Sequence, residues 1–187
     1  MPVDITKRLF DVDDYHRIAQ AGILSEDDRV ELIDGEIVAK TPIGPRHNAS
    51  VNRANRGLGK IVGDHAIVQV QGSVRLDRFQ EPQPDIVLLR PQPDFYASRL
   101  PGPSDILLII EVAESSLHYD REVKARIYAE SGVREYWLVD LDDRSASCYR
   151  DPSGTAYQEL RQYRSGQSIV PQALPQCAIP VDVLLAD

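Results

Sequence analysis

Two hydrophobic periods alternate along this chain, and their order predicts most of its elements. Apolar positions after Asp13 suggest a short helix over 13–20 that ends near Gly22. Over 29–40, two short apolar-rich arms flank Asp34-Gly35. That pair is a strong hairpin signal, because a tight two-residue turn needs positive φ at both positions. The turn sets the register, with Leu32 facing Ile37 and Glu31 facing Val38. Residues 41–45 hold two prolines and a glycine and predict a loop. Val51, Ala54, Leu58, Ile61 and Val62 then recur at helical spacing, which predicts a helix over 47–63 with Gly63 at its C-terminal end. Strands are expected over 66–70, 73–77 and 85–89. Four prolines between 91 and 103 mark a long surface loop. The uninterrupted apolar run 106–112 predicts a central strand covered on both faces. A helix follows over 120–131, with Asp120 at its N-cap, Glu122 in its first turn and Gly132 beyond its end. A strand over 136–139 and a meander over 145–150 and 156–162, turning around Asp151-Pro152-Ser153-Gly154, close the pattern. No internal repeat or low-complexity tract interrupts it, so the expectation is one mixed α/β domain over 1–187.

Composition narrows the function classes. A chain of 187 residues can bury a core of ordinary size without staples. Cys148 and Cys177 are too few for a disulfide framework and too far apart for a zinc pair, so both read as ordinary thiols. No apolar run reaches the length of a membrane span, and the stretch from Met1 to Arg8 lacks the apolar centre of a signal peptide. A cytoplasmic protein without a membrane partner is expected. The net charge of −8 disfavours strong sequence-independent binding to nucleic acid, which needs a basic field. It leaves room for a local basic face. Arg53, Arg56 and Lys60 fall at i, i+3, i+7 on the predicted helix, either as a stripe of phosphate contacts or as a solvated helix face.

Three positions carry the candidate chemistry. Asp85 follows Pro84 at the start of a predicted strand. Glu111 closes the apolar strand in Ile110-Glu111-Val112-Ala113, where a carboxylate is expensive unless it is paired or bound to a cation. If the two strands are neighbours, Asp85 and Glu111 meet at one rim of the sheet. Two hard oxygen ligands there suit Mg²⁺ or Mn²⁺, with water and the Val112 backbone carbonyl filling further positions. The other reading has both carboxylates capping loops or pairing with arginines. The third element is Asp120-x-x-x-Lys124-x-x-x-Tyr128, whose side chains drift slowly around one helical face. Lys124 either reaches back to the strand end to polarise a metal-bound water, or lies exposed and paired with Asp120.

These residues resemble a known pattern. A Pro-Asp, an apolar strand ending in Glu and a following lysine look like the PD-(D/E)XK nuclease superfamily. More narrowly, the Uma-two family is resembled by several blocks in order: Glu31-Leu32-Ile33-Asp34-Gly35-Glu36-Ile37, Arg46-His47, Pro84-Asp85-Ile86, Glu111-Val112, Tyr119-Asp120 with Lys124 and Tyr128, and Gly132-Val133 through Asp140. The resemblance implies a restriction-endonuclease-like mixed central sheet flanked by helices, with an N-terminal hairpin and a C-terminal meander. It implies metal ligation by Asp85 and Glu111, Lys124 as the catalytic lysine and a supporting acid at Glu31. The superfamily lysine would stand two residues after the second acid, on the same strand face. That position is Ala113, so the lysine has moved to Lys124 on the next helix. Glu114-Ser115-Ser116-Leu117 also departs from the family's serine-proline loop, and a different loop path is expected. His47, with Asp120 and Tyr128, is a candidate for support around the ligands.

The expected function is a Mg²⁺- or Mn²⁺-dependent endonuclease acting on nucleic acid, DNA first. The alternatives are a metal- or nucleic-acid-binding module without turnover, and a structural oligomer whose carboxylates cap loops. Aromatic and aliphatic residues over 136–163 suggest a homodimer, which would place two cuts on one duplex. Lys124→Ala is expected to spare the fold and metal binding while lowering cleavage.

Overall fold

A computed structural model describes residues 6–25, 27–40 and 42–185. Thr41 of the predicted loop and the first five residues of the N-terminal stretch lie outside these. Asp11 caps helix α1 (Val12–Gln20) by accepting from the Asp14 amide at 2.8 Å. Strands β1 (Val30–Ile33) and β2 (Glu36–Ala39) form the expected hairpin, with Leu32 opposite Ile37 and Glu31 opposite Val38. Its turn places Asp34 at φ 52° and Gly35 at φ 72°, as an Asp-Gly turn requires. The hairpin is docked rather than free. Leu32 bridges to Glu81, and the Gln80 side chain binds both the Asp34 amide and its carboxylate.

The central sheet has six strands: β3 (Ile67–Val70), β4 (Ile86–Leu89), β5 (Ile106–Ala113), β6 (Glu135–Asp140), β7 (Ser145–Ser153) and β8 (Ala156–Arg164). They lie in sequence order. Neighbours are antiparallel except β5 and β6, which run parallel. A parallel pair needs a crossover. Here it is the helical segment 117–130, made of α3 (Leu117–Tyr119), a π-helical turn Asp120–Lys124 and α4 (Ala125–Glu130). All eight residues of β5 are buried, because both faces of the sheet are covered. Helix α2 (Pro45–Val62) packs Val51, Ala54, Leu58 and Val62 on one face. Ile127 and Tyr128 of α4 pack on the other, joined by Tyr136 and Tyr149.

Two expectations change. Residues 73–77 form no strand. Val74 and Leu76 donate to Pro82 and Gln80, while Arg75 donates to Pro101. The facing segment contains Pro82 and Pro84, which have no N–H to return, so no ladder can form. The crossover begins at Leu117, a turn before the predicted start, so Asp120 is not an N-cap; it accepts from the Ser116 hydroxyl at 2.5 Å. Several tyrosines of the region 136–163 pack against one another. Tyr136 packs against Tyr128, Tyr149 and Tyr157 with ring centroids 5.1, 5.3 and 6.4 Å away.

The C-terminal segment has no clear sequence period but covers the α2 face. Strands β9 (Ser168–Ile169) and β10 (Ile179–Pro180) pair there, and Leu174, Val181 and Leu184 join the core. Glu135, fully buried at the far end of β6, ties this segment down. It accepts from Trp137 Nε1 at 2.8 Å, from Arg150 at 2.8 Å and from the Gln172 amide at 2.6 Å. Gly57 permits the contact with α2, since a Cβ there would stand 2.3 Å from Val183 Cγ1. Gly57→Ala should therefore destabilise the fold by roughly 1–3 kcal/mol through overpacking. Urea denaturation checks this, and adding Val183→Ala should recover most of the loss.

Candidate active site

Ile86 of β4 pairs with Ile110 of β5, so Asp85, one residue before, faces Glu111 at the same rim. The Asp85 amide donates to Glu111 Oε2 at 3.0 Å, and Asp85 Oδ2 accepts from the Val112 amide at 2.9 Å. The two acids are thus cross-braced by each other's strand. Both line a cavity of about 250 Å³ together with Glu31, Lys40, His47, Tyr119, Asp120 and Lys124.

Lys124 is 3% exposed and does not pair with Asp120 at the surface. Its ammonium lies 2.5 Å from Glu31 Oε2 and 3.5 Å from Glu111 Oε1. Burial opposes its charge, but Glu111 and Glu31 together raise its pKa above the ordinary value. Lys124 is accordingly a fixed cation that donates hydrogen bonds. The π-helical turn Asp120–Lys124 is what buries both of its end residues against the sheet; such turns frequently occur at functional sites. Glu31 reaches the same point from the hairpin, where it also accepts from the Gln83 amide at 3.1 Å.

Glu111 is held from two sides. The Tyr128 hydroxyl donates to its Oε1 at 2.6 Å. Burial, only partly opposed by Lys124, pushes its carboxyl up to about 7. Burial likewise raises Asp120 to about 6 despite its bond from Ser116. Burial also pushes on Asp85, but His47 reverses the direction and holds it below the usual carboxylate range. His47 Nε2 stands 3.0 Å from Asp85 Oδ2, in the position of a residue that orients a ligand.

The geometry admits a hard cation. Asp85 and Glu111 offer adjacent carboxylate oxygens on a cavity wall, in surroundings with an excess of buried acid. Among the described residues no three His, Cys, Asp or Glu side chains form a ready-made cage. Mg²⁺ commonly keeps several waters and takes one or two carboxylates plus substrate phosphate. Val112 lines the cavity, and its amide serves Asp85. Ala113 is buried in the apolar cluster under α4.

Arg53, Arg56 and Lys60 are elsewhere. They border a separate concavity beside Asp182 and Val183, and none lines the cavity of the acids. Several lining residues were given no role by the sequence, Lys40 and Tyr119 among them. Lys40 was legible in principle, since the hairpin alternation puts it on the same face as Val38 and therefore as Glu31. Its ammonium donates to the Gln83 carbonyl at 2.5 Å. Tyr119 stood out only as part of the block Tyr119-Asp120.

A mixed sheet with paired carboxylates and a lysine at one rim is the architecture of a restriction-endonuclease-like protein. The fold is similar to the crystal structure of a putative nuclease belonging to DUF820 from Anabaena variabilis ATCC 29413, with a TM-score of 0.73 and 17% identity over 94% of this chain and 97% of that one. No curated protein matches the sequence. Residues 12–182 match the model of the Uma2 family, described as "putative restriction endonuclease", and the chain belongs to that family. Among the described residues no helix is long and apolar enough to cross a membrane.

The burial of Lys124 revises the expectation for its removal. Lys124→Ala leaves Glu31 and Glu111 buried without their counter-charge. Breaking one side of a buried ion pair typically costs about 3–5 kcal/mol. Chemical denaturation in the absence of divalent cations should show a loss of this order; a midpoint equal to that of the wild type would contradict the pairing.

Proposed function

We propose that this protein is a divalent-metal-dependent nuclease of the PD-(D/E)XK type, hydrolysing phosphodiester bonds of nucleic acid, with DNA as the first substrate to test. The observation that carries this reading is the meeting of Asp85 and Glu111 beside the buried ammonium of Lys124 in one cavity. Membership of a family described as restriction endonucleases supports it.

Asp85 and Glu111 would hold Mg²⁺ or Mn²⁺, with His47 fixing the Asp85 carboxylate. The ion, when bound, supplies Lewis acidity toward the phosphate and a more acidic water. Lys124 cannot serve as a base while protonated. Its ammonium instead stabilises negative charge on the attacking oxygen or on the phosphate as the transition state forms. Glu31 keeps that ammonium aimed between the carboxylates. Water oxygen joins phosphorus, the P–O bond to the leaving sugar breaks, and the sugar oxygen takes up the proton. The lysine thus acts from the crossover helix, while Ala113 at the strand position contributes only packing.

Two measurements test the reading. Mg²⁺ or Mn²⁺ should raise the melting temperature by mass action, and Asp85→Ala should abolish that rise. DNA cleavage should require the metal, stop in EDTA, and be lost in Asp85→Ala. A metal-dependent shift without cleavage of any DNA or RNA substrate would instead identify a binding module, the alternative that the net charge of −8 favours.

A further inference from the structure

Most tyrosine hydroxyls of the described chain are committed to protein oxygens. Tyr15 donates to the Val30 carbonyl, Tyr96 to Arg90, Tyr136 to Asp120 and Tyr157 to Val133, while Tyr128 donates to Glu111. Tyr119 differs. Its hydroxyl is buried and has no hydrogen-bond partner among the described residues. A buried hydroxyl without a partner is costly, and such a group in a native structure calls for a physical reason.

Its location supplies one. Tyr119 lines the same cavity as Asp85, Glu111 and Lys124. It directly precedes the π-helical turn that buries Asp120 and Lys124, so its position is fixed by the same backbone that places the lysine. The charges that act on its hydroxyl are those of Glu31, Lys124, Asp120 and Glu111, the ionic groups of the site. Burial first, and then Glu31, push its pKa up to about 12. A phenol in such surroundings stays protonated and has one proton to give. Carboxylates on neighbouring elements already have donors: Lys124 for Glu31, Ser116 for Asp120, Tyr128 for Glu111 and His47 for Asp85. Among the described residues no oxygen accepts from the Tyr119 hydroxyl, which leaves its proton available to a ligand in the cavity.

We propose that Tyr119 is a further catalytic residue whose hydroxyl donates a hydrogen bond to a non-bridging oxygen of the phosphate bound in this cavity. The assignment rests on the phosphodiesterase reading above and adds a neutral donor to the charged one at Lys124. A phosphate oxygen gains negative charge as water attacks, so a donor preset toward it is strengthened in the transition state. The Tyr119 hydroxyl, unpartnered among the described residues, would gain an acceptor when a phosphate enters. That difference favours bound substrate without opposing the fold.

The test is Tyr119→Phe, which removes one oxygen atom and no packing. The variant should fold with the stability of the wild type or slightly above it, and retain the Mg²⁺-dependent rise in melting temperature. Its kcat on a DNA oligonucleotide should fall by roughly 10²-fold, the usual effect of losing one such donor, with little change in KM. Tyr128→Phe is the control, since it removes a hydroxyl that is bonded in the resting protein and should lose stability. A second readout uses substrates with a single phosphorothioate of defined configuration at the cut. Sulfur is a weak acceptor, so the penalty of Tyr119→Phe should nearly vanish for the one diastereomer whose sulfur replaces the contacted oxygen. Equal cleavage by Tyr119→Phe and wild type would overturn this assignment alone. So would a loss of cleavage matched by a loss of stability, or a penalty equal in both diastereomers. A wild type that cuts no substrate would overturn the phosphodiesterase reading and this assignment with it.

Discussion

The ammonium of Lys124, placed between Glu31 and Glu111, balances a site that would otherwise be untenable. Four carboxylates, those of Glu31, Asp85, Glu111 and Asp120, are buried around one small cavity. Gathering like charges in a poorly solvated space costs several kcal/mol per ion unless counter-charge is close. Lys124 and His47 stand closest to these acids, with Lys40 and Arg29 also on the cavity wall, and burial pushes the carboxyls of Glu111 and Asp120 upward. In the proposed function a divalent cation would supply further counter-charge to this group of acids.

The lysine reaches its place because the parallel pair β5–β6 needs a crossover, and that crossover leaves the sheet beside the rim where Asp85 and Glu111 meet. In a nuclease with its lysine on the strand, spacing alone would align acid and base. Here alignment depends on how the chain leaves β5, through the turn at Leu117–Tyr119 and the π-helical residues after it. The resulting geometry is held by packing as much as by charge. Ile127 and Tyr128 anchor the following helix in the core, and Tyr136 meets Tyr128 while donating to the Asp120 carbonyl at 3.2 Å.

Much of this was legible where a local rule settles the outcome. Asp34-Gly35 dictates its turn, and the turn dictates the register that puts Glu31 and Val38 face to face. The run Ile106–Ala113 could only be a central strand, and neighbouring strands at 85 and 106 bring Asp85 to Glu111. Legibility ended where the deciding partner is remote. Residues 73–77 have a strand's composition, yet facing prolines deny them a ladder. Periodicity put Lys124 on a helix but could not say that a π-helical turn buries it. The aromatic residues over 136–163 carry no local sign that Tyr136, Tyr149 and Tyr157 meet Tyr128 in one cluster. Nor does the block Tyr119-Asp120 show that the Tyr119 hydroxyl has no partner among the described residues.

The hydrogen bond between Glu31 and Lys124 joins residues 93 apart in sequence, whereas Tyr128 and Glu111 are 17 apart. Closing the longer loop has the larger entropic cost and gains nothing until the hairpin has found the sheet. The strand, helix and tyrosine can assemble as a local unit; the hairpin arrives as a separate one. Hydrogen exchange would accordingly divide the site between two cooperative units. Transient detachment of the hairpin would uncover Lys124 and dismantle the charge balance while the sheet beneath stays folded.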